Sequence, residues 1–318
     1  MAREVFPEVI DYLRPHFEVD DNQADVILGV EGLKQRLADK VGVMSAVSDP
    51  ISAEVIAAAP QLKAVCNFAV GYNNIDLASC TRAGILATNT PGVLDETTAD
   101  LAWALLMATA RHIQTSEHWL RAGHWKGFKM TDWLGSDVNH ATLGILGMGR
   151  IGQAVARRAL GFDMQVIYHN RSQLPADKEA ACRATWVDKA TLLREADFLV
   201  LLLPYSTESH HIIGAAELAL MKPSAHLINV ARGGIVDDAA LISALRQRRL
   251  SGAALDVFEG EPKLNPGFLE LDNVTLTPHI GSSSRATRMA MAMTAANNLI
   301  AALAGQRPPN LINPEAWR

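Results

Sequence analysis

Three residues that could transfer a proton or bind an anion follow strand-like apolar runs in the second half of the chain. They are Arg232, Glu261 and His279, and each lies a few residues beyond the end of such a run. In an open α/β sheet, ligands bind beyond the carboxyl ends of the strands. The sequence therefore predicts that these three side chains share one site.

The chemistry that suits this set is the reduction of a 2-keto acid. Hydride delivery to a ketone leaves negative charge on its oxygen, and His279 could protonate that oxygen near neutral pH. A carboxylate stabilises an imidazolium, so Glu261 could support His279 if the fold brings them together. The planar guanidinium of Arg232 could bind the substrate's carboxylate and its carbonyl. Taken singly, the three could equally be a capped loop histidine, a solvated acid and a surface charge.

A glycine-rich segment between a strand-like run and an amphipathic helical pattern predicts a dinucleotide site. Gly147, Gly149 and Gly152 have the G-x-G-x-x-G spacing. The first glycine permits a tight turn, the second lets the backbone approach a pyrophosphate at the helix N-terminus, and the third allows close packing of helix and strand. A glycine-rich turn without a ligand is the alternative.

The next strand-like run, which ends at Tyr168, predicts the cofactor. An enzyme that uses NAD carries an acidic residue here for the ribose 2′-hydroxyl, whereas this chain has Asn170, Arg171 and Ser172. A guanidinium pairs with a phosphate in bidentate geometry, so we expect NADPH to be preferred over NADH. Arg171 could instead be a solvated loop charge or stack on the adenine.

The patterns predict an α/β fold in which a Rossmann doubly wound parallel sheet domain is joined to a smaller flavodoxin-like α/β domain. The runs are apolar throughout, as expected for parallel strands covered on both faces. One long helix is expected over residues 95–122, ended by Gly123, and a last helix over 283–304. The predicted strands are Val41–Val47, Leu62–Cys66, Ile85–Thr88, Thr142–Leu146, Gln165–Tyr168, Phe198–Leu202, His226–Val230, Gly252–Asp256 and Val274–Thr277.

The last helix is long enough to return to the first domain, so the domain boundary is predicted to be discontinuous. We expect an outer, substrate domain of residues 1–98 and 286–318, and a dinucleotide-binding domain of residues 99–285.

Composition excludes several other classes of protein. The formal charge of the 318 residues is −5, with no basic stripe for nucleic acid. The three cysteines have no metal-ligand spacing and predict reduced thiols in a cytoplasmic protein, with no metal site. No signal peptide and no run long enough for a membrane span is expected.

The segments NFAVGYNNID, LGILGMGRIG, NVARGGIVD, AALDVFEGEP and TPHIGSSS together resemble the D-isomer-specific 2-hydroxyacid dehydrogenase family. Within that family the chain is most similar to glyoxylate/hydroxypyruvate reductases and 2-ketogluconate reductases. The resemblance implies an NAD(P)-dependent enzyme that reduces a small 2-keto acid, namely glyoxylate, hydroxypyruvate or 2-ketogluconate, to the D-2-hydroxy acid. Members usually open with a strand that this chain, beginning MAREVFPE, lacks or shortens.

The resemblance also implies roles for particular residues. Arg232 binds the substrate's carboxylate and carbonyl, His279 is the proton donor, and Glu261 orients it. Asp256 holds the nicotinamide carboxamide, and the backbone amides of Ala69, Val70 and Gly71 bind the substrate carboxylate. The remaining residues expected at the cofactor are Met148, Arg150, Ile151, Leu203, Pro204, Val230 and Ala231.

Aromatic residues in the region from 95 to 138 predict a homodimer, since aromatic side chains are enriched in interfaces. In the similar reductases a tryptophan before the glycine-rich segment reaches the partner's substrate site, and Trp133 lies one residue from that position. Trp133 could instead be an ordinary interface residue. The aromatic residues concerned are Trp103, Trp119, Trp125, Phe128 and Trp133.

A function of another class stays open beside the enzyme. A dehydrogenase-like co-repressor or redox sensor would bind a dinucleotide, contact protein partners and turn over little substrate, and it could keep the same three residues. The absence of tails and charged interaction segments disfavours it.

Overall fold

The structure is a computed structural model that describes residues 1–317. Within them the chain divides into two compact units, which are described separately. Unit 1 is Met1–Leu94 with the segment that begins at Ser283, and unit 2 is Asp95–Ser282. It stays a prediction that residues 1–98 and 286–318 bind the substrate and that residues 99–285 bind the dinucleotide.

The helices and strands alternate along the chain as an α/β fold requires. The strands are β1 Gly42–Ser45, β2 Ala64–Asn67, β3 Leu86–Thr88, β4 Thr142–Leu146, β5 Gln165–His169, β6 Ala184–Trp186, β7 Phe198–Leu201, β8 His226–Asn229, β9 Gly252–Leu255 and β10 Val274–Leu276. The α-helices are α1 Pro7–Leu13, α2 Gly29–Leu37, α3 Ala53–Ala57, α4 Leu77–Ala83, α5 Asp95–Ala110, α6 Ile113–Arg121, α7 Arg150–Ala159, α8 Ala176–Cys182, α9 Lys189–Glu195, α10 Ala215–Leu218, α11 Asp238–Arg246 and α12 Arg285–Leu303. Short 3-10 helices lie at Leu160–Phe162, Thr207–Ser209, Pro266–Glu270 and Pro314–Ala316.

Unit 1 is built on a three-stranded parallel sheet in the order β1-β2-β3. Helix α12 packs on this sheet so closely that a Cβ on Gly42 would lie 2.6 Å from Leu299 Cδ1. Residues 1–6 form neither a helix nor a strand, and the first helix, α1, begins at Pro7. The amide of Ala2 donates to the carbonyl of Met44 in β1 at 2.9 Å.

Unit 2 contains a seven-stranded parallel sheet in the order β10-β9-β8-β7-β4-β5-β6. Numbered from β4, this is the doubly wound order, in which the strand sequence reverses between β4 and β7. The glycine-rich segment follows β4, at that reversal. The structure thus confirms the predicted fold class and all six predicted strands of this sheet.

The prediction of one long helix over 95–122 is wrong. The chain leaves α5 after Ala110, and His112 adopts a left-handed conformation (φ 53°) before α6 begins. The segment at Gly135 and Ser136 packs against the end of α5, and the amide of Ser136 donates to the carbonyl of Ala110 at 2.8 Å. A side chain on Gly135 would lie 2.3 Å from that carbonyl oxygen, so glycine is required there. This packing turns the chain aside.

The prediction that Trp103 lies in a dimer interface is also wrong. It is buried in the core of unit 2, where its indole N–H donates to the carbonyl of Val155 at 3.0 Å and its ring stacks on Phe162. None of the helices within residues 1–317 is long and apolar enough to cross a membrane.

Candidate active site

The glycine-rich turn between β4 and α7 is shaped by close backbone packing. Gly147 has a φ of +105°, and a Cβ there would lie 2.6 Å from the backbone of Leu202. A Cβ on Gly152 would lie 2.5 Å from the carbonyl oxygen of Gly147, so this glycine lets the helix approach the turn. Gly149, the residue before α7, faces open space and carries no capping side chain. The turn therefore leaves the first amides of α7, Arg150 and Ile151 included, open to an anion such as a pyrophosphate.

Residues beyond β5 and β7 line the same turn. The side-chain oxygen of Asn170 accepts the amide N–H of Met148 at 2.7 Å, so this side chain fixes the turn. Arg171 is exposed, and Ser172 follows it. Leu203 and Pro204 follow Leu202 beyond the end of β7, and a Cβ on Gly147 would lie 2.7 Å from the backbone nitrogen of Leu203. Just beyond β8, the amide of Ala231 donates to the side-chain oxygen of Asn229, and Val230 and Ala231 are both buried.

Asp256, which follows β9, organises the loop that carries His279. Its carboxylate is buried and accepts the Thr277 hydroxyl at 2.6 Å, the Ile280 amide at 2.8 Å and the Gly281 amide at 2.9 Å. Burial raises the pKa of Asp256, and these three hydrogen bonds oppose that rise. The contact between Asp256 and the nicotinamide stays a prediction. The hydrogen bonds from the loop to Asp256 are seen in the structure.

His279 and Glu261 are brought together by two different loops. His279 Nδ1 lies 2.8 Å from Glu261 Oε2, and both side chains are about one-third exposed. The other carboxylate oxygen of Glu261 accepts the amide of Phe258 at 2.9 Å. His279 has a left-handed φ of 53°, which is an unfavourable conformation. A hydrogen bond from the His279 amide to the carbonyl of Asp256 helps to hold it.

The charge state of Glu261 fixes the roles of the two imidazole nitrogens. Burial of Glu261 favours its neutral form, but the hydrogen bond and charge of His279, the Phe258 amide and Arg232 outweigh burial and lower its pKa. Glu261 is thus a carboxylate near neutral pH and can only accept a hydrogen bond. Nδ1 must therefore carry the proton of the pair, which leaves Nε2 to exchange a proton with a substrate.

Arg232 lies at the same end of the sheet, after β8. Its Nη1 donates to the carbonyl of Ala231 at 2.6 Å, and burial lowers its pKa while the charge of Glu261 opposes that change. A Cβ on the next residue, Gly233, would lie 1.8 Å from the carbonyl oxygen of Phe258. The backbone that carries Arg232 is therefore packed directly on the loop that carries Glu261. Unit 2 brings all three predicted catalytic residues to one edge.

The predicted substrate-binding loop 69–71 belongs to unit 1, where it follows β2. All three of its carbonyl groups are used internally: Ala69 accepts the Thr90 amide, Val70 accepts Asn89 and Gly71 accepts Asn67. No hydrogen bond from the three amides is found within residues 1–317. Amide groups seldom go unpaired, so these are available to an anion.

Trp133 lies on a groove of unit 2, apart from the three catalytic candidates. The groove has a volume of about 430 Å³ and is lined by residues of α6 and the segment after it. Trp133 is 41% exposed and meets the ring of Trp119 edge-on at 5.6 Å. A contact with a partner subunit's substrate stays a prediction.

The sequence analysis did not predict the supporting roles of two residues. Asn170 was expected near the ribose phosphate, but its hydrogen bond to the amide of Met148 was not predicted. Thr277 was treated only as the end of a strand. A hydroxyl two residues before a candidate histidine, on the strand beside an aspartate, was the available signal for Thr277.

Comparisons with known proteins agree with this architecture. A family model described as "D-isomer specific 2-hydroxyacid dehydrogenase, NAD binding domain" matches residues 103–281. The chain is 44% identical to a glyoxylate reductase of Thermococcus onnurineus and 46% identical to one of Thermococcus gammatolerans, over 99% of this chain and 95% of each relative. It is also similar to the structure of an NADPH-dependent glyoxylate/hydroxypyruvate reductase from Sinorhizobium meliloti in complex with NADP and malonate. In that case the TM-score is 0.86 and the identity 32%, over 99% of this chain and 96% of the other.

Proposed function

The chain belongs to the D-isomer-specific 2-hydroxyacid dehydrogenase family and is an NAD(P)-dependent 2-keto acid reductase, and we propose that it reduces glyoxylate and hydroxypyruvate with NADPH. The product is the corresponding 2-hydroxy acid, of D configuration where C2 is a stereocentre. 2-Ketogluconate is a further candidate substrate.

The observation that carries this proposal is the 2.8 Å contact between His279 and Glu261. A reduced nicotinamide, when bound, would supply a hydride to C2 and leave negative charge on the former carbonyl oxygen. We assign His279 Nε2 to deliver the proton to that oxygen. The carboxylate of Glu261 holds the imidazole in the required tautomer and stabilises the imidazolium before the transfer.

Arg232 is assigned to the anionic end of the substrate. A guanidinium donates in a planar fork, so one edge can bind a carboxylate oxygen while the same group polarises the adjacent carbonyl. We assign the amides of residues 69–71 to the remaining carboxylate oxygens, since those amides are otherwise unused.

The cofactor assignment rests on the strand tip after β5. Arg171 and Ser172 offer cationic and hydroxyl donors where an NAD enzyme carries an acid, and an exposed arginine can pair with a 2′-phosphate. The S. meliloti reductase, which is 32% identical, is described as NADPH-dependent. We therefore assign NADPH as the preferred reductant.

A substrate panel tests the proposal. Oxidation of NADPH is followed with glyoxylate, hydroxypyruvate, 2-ketogluconate and pyruvate in turn, and the series is repeated with NADH. We expect the highest kcat/KM for glyoxylate or hydroxypyruvate with NADPH. Tight dinucleotide binding without turnover on any of the four would instead favour a co-repressor or redox sensor.

A further inference from the structure

A cluster of two histidines and one glutamate lies outside the residues assigned to the reaction. One ligand atom from each of His210, His211 and Glu259 lies within 4.8 Å of the others. His211 Nε2 is 3.1 Å from Glu259 Oε2. The imidazole rings of His210 and His211 stack with centroids 3.9 Å apart, so the exposed ring of His210 must tilt for both imidazoles to point at one ion. We propose that these three side chains bind a divalent transition-metal ion, Zn²⁺ being the best match.

The donor set selects the kind of metal. Two imidazole nitrogens and one carboxylate oxygen form a set that zinc accepts in proteins, with bonds of about 2.0–2.2 Å. Two such ligands on a tetrahedral ion lie a little over 3 Å apart, which is close to the separation of His211 and Glu259. Mg²⁺ and Ca²⁺ require oxygen ligands, so a site with two imidazoles discriminates against both.

One of the two histidines has a hydrogen-bond partner on its second ring nitrogen, as is usual at a metal site. Metal-binding histidines usually hydrogen-bond through their second nitrogen, which fixes the tautomer. His210 Nδ1 lies 3.1 Å from the Tyr205 hydroxyl, so its Nε2 is the nitrogen left for a metal.

A buried carboxylate beside the cluster gives independent support. Asp238 is only 9% exposed, and its Oδ2 has no hydrogen-bond partner within residues 1–317. A buried carboxylate oxygen without a hydrogen-bond partner is costly, and a cation bound at Glu259 would offset that cost.

The ion would connect two loops at the end of the sheet, beside a third. The two histidines follow β7, Asp238 begins α11 beyond β8, and Glu259 lies beyond β9. The amide of His211 donates to the carbonyl of Gly234 at 2.7 Å, so the loops already touch. Since Glu259 is two residues from Glu261, a bound ion would hold the loop that carries the partner of His279. This role is additional to the proposed reduction and does not depend on it.

The test uses full-length protein without a histidine tag, stripped with EDTA and free of dinucleotide and keto acid. Zn²⁺ is titrated calorimetrically, and Co²⁺ is added separately to read the visible absorption of a tetrahedral site. We expect one ion per chain with micromolar or tighter affinity. His211→Ala and Glu259→Gln should each weaken Zn²⁺ binding by at least about tenfold, since even outer partners of a ligand are worth that much. Zn²⁺ should raise the Tm of the unmodified chain and not that of Glu259→Gln.

Two controls separate this site from others. His124→Ala removes an exposed histidine elsewhere, and His279→Ala removes the assigned proton donor, and both should leave the Zn²⁺ affinity unchanged. Mg²⁺ should not compete. If the Tm of His211→Ala in EDTA is lower than that of the unmodified chain, the proposal is judged on the Zn²⁺ affinity of the nearly isosteric Glu259→Gln. The absence of saturable Zn²⁺ binding, or Zn²⁺ binding that survives both cluster substitutions, would overturn the proposal.

Discussion

At the scale of single residues, the proposed chemistry depends on one ionised carboxylate. Glu261 keeps a lowered pKa despite its partial burial, because it accepts hydrogen bonds from His279 and from the Phe258 amide. Asp256 contributes differently, because its carboxylate accepts hydrogen bonds from the backbone of the loop that carries His279. One acid thus sets the protonation of the histidine and the other sets its position.

The first prediction concerns the pH dependence of Glu261→Gln. In the unmodified enzyme Glu261 remains charged below its ordinary pKa of 4.5, so the reductive rate should not fall as the pH is lowered from 6.5 to about 5. The amide variant leaves the imidazolium without an anionic partner. We expect kcat for reduction to fall about ten- to hundredfold, the worth of a charge-assisted hydrogen bond, and its alkaline decline to begin at lower pH.

Glu270→Gln is the matched control, since Glu270 is an exposed acid paired with Arg246. Its pH profile should match that of the unmodified enzyme. A profile of Glu261→Gln that is lowered uniformly, with its alkaline decline unmoved, would contradict the assigned ionic role.

At the scale of elements, we propose that the turn after β4 binds the dinucleotide and that the tip of β5 selects NADPH. The second prediction is that Arg171→Ala raises the KM for NADPH about tenfold and barely changes that for NADH. The value lies at the low end for a charge-assisted bond because Arg171 is exposed to solvent. Steady-state kinetics with both cofactors measure it.

Arg194→Ala serves as the control for Arg171, because Arg194 is exposed in the last turn of α9. Equal efficiency of the unmodified enzyme with NADPH and NADH would refute the preference and leave Arg171 as a surface or adenine-stacking residue.

Local pattern predicted the elements that are buried on both faces and failed where tertiary contacts decide. The strands β4, β7 and β9 are buried almost throughout and lie in continuous apolar runs, so their existence was evident. Strand β6 has three residues at the edge of the sheet, with an exposed Thr185, and gives no such signal. The break between α5 and α6 depends on the segment at Ser136, which is distant along the chain. The Asp256–Thr277 bond likewise joins two strands that only the fold makes neighbours.

At the scale of the whole molecule, a buried histidine couples stability to pH. His226 is buried between Thr109 and Ser136, at 3.3 and 3.0 Å, and its ring stacks on Phe198. Burial, and then the charge of His112, lowers the pKa of His226 from 6.5 to about 4. The unfolded chain therefore binds a proton at a pH where the folded chain does not, and acid favours unfolding.

The third prediction follows from that sign. The stabilising contribution is complete above pH 6.5 and is lost progressively as the pH falls to about 4, amounting to about 3 kcal/mol at 1.36 kcal/mol per pH unit. His226→Gln, which cannot titrate, should show a smaller drop in Tm between pH 7 and pH 4.5 than the unmodified chain. His140→Gln, at an exposed position, should keep the full drop. Identical drops in all three proteins would refute the assignment.

The fourth prediction is a homodimer formed through the aromatic groove of α6. Trp125, Phe128 and Leu134 are more than half exposed, which is unusual for such large apolar side chains on a monomer. Light scattering should give about twice the chain mass of 34.4 kDa. Trp125→Asp should yield monomers, whereas Leu269→Asp, at an exposed apolar position outside the groove, should not. A monomeric mass for the unmodified chain at micromolar concentration would contradict the prediction.

The most direct test of the central claim is the reduction of glyoxylate by His279→Ala, with the affinity for NADPH measured on the same sample. A general acid contributes about 10²–10⁴-fold to rate. We therefore expect kcat to fall by at least about 10²-fold, while the Kd for NADPH changes by no more than about twofold. Arg232→Ala should behave in the same way and also raise the KM for glyoxylate. Near-normal turnover by His279→Ala, or a collapse of NADPH binding with turnover preserved at saturation, would contradict the assignment of His279 as the proton donor.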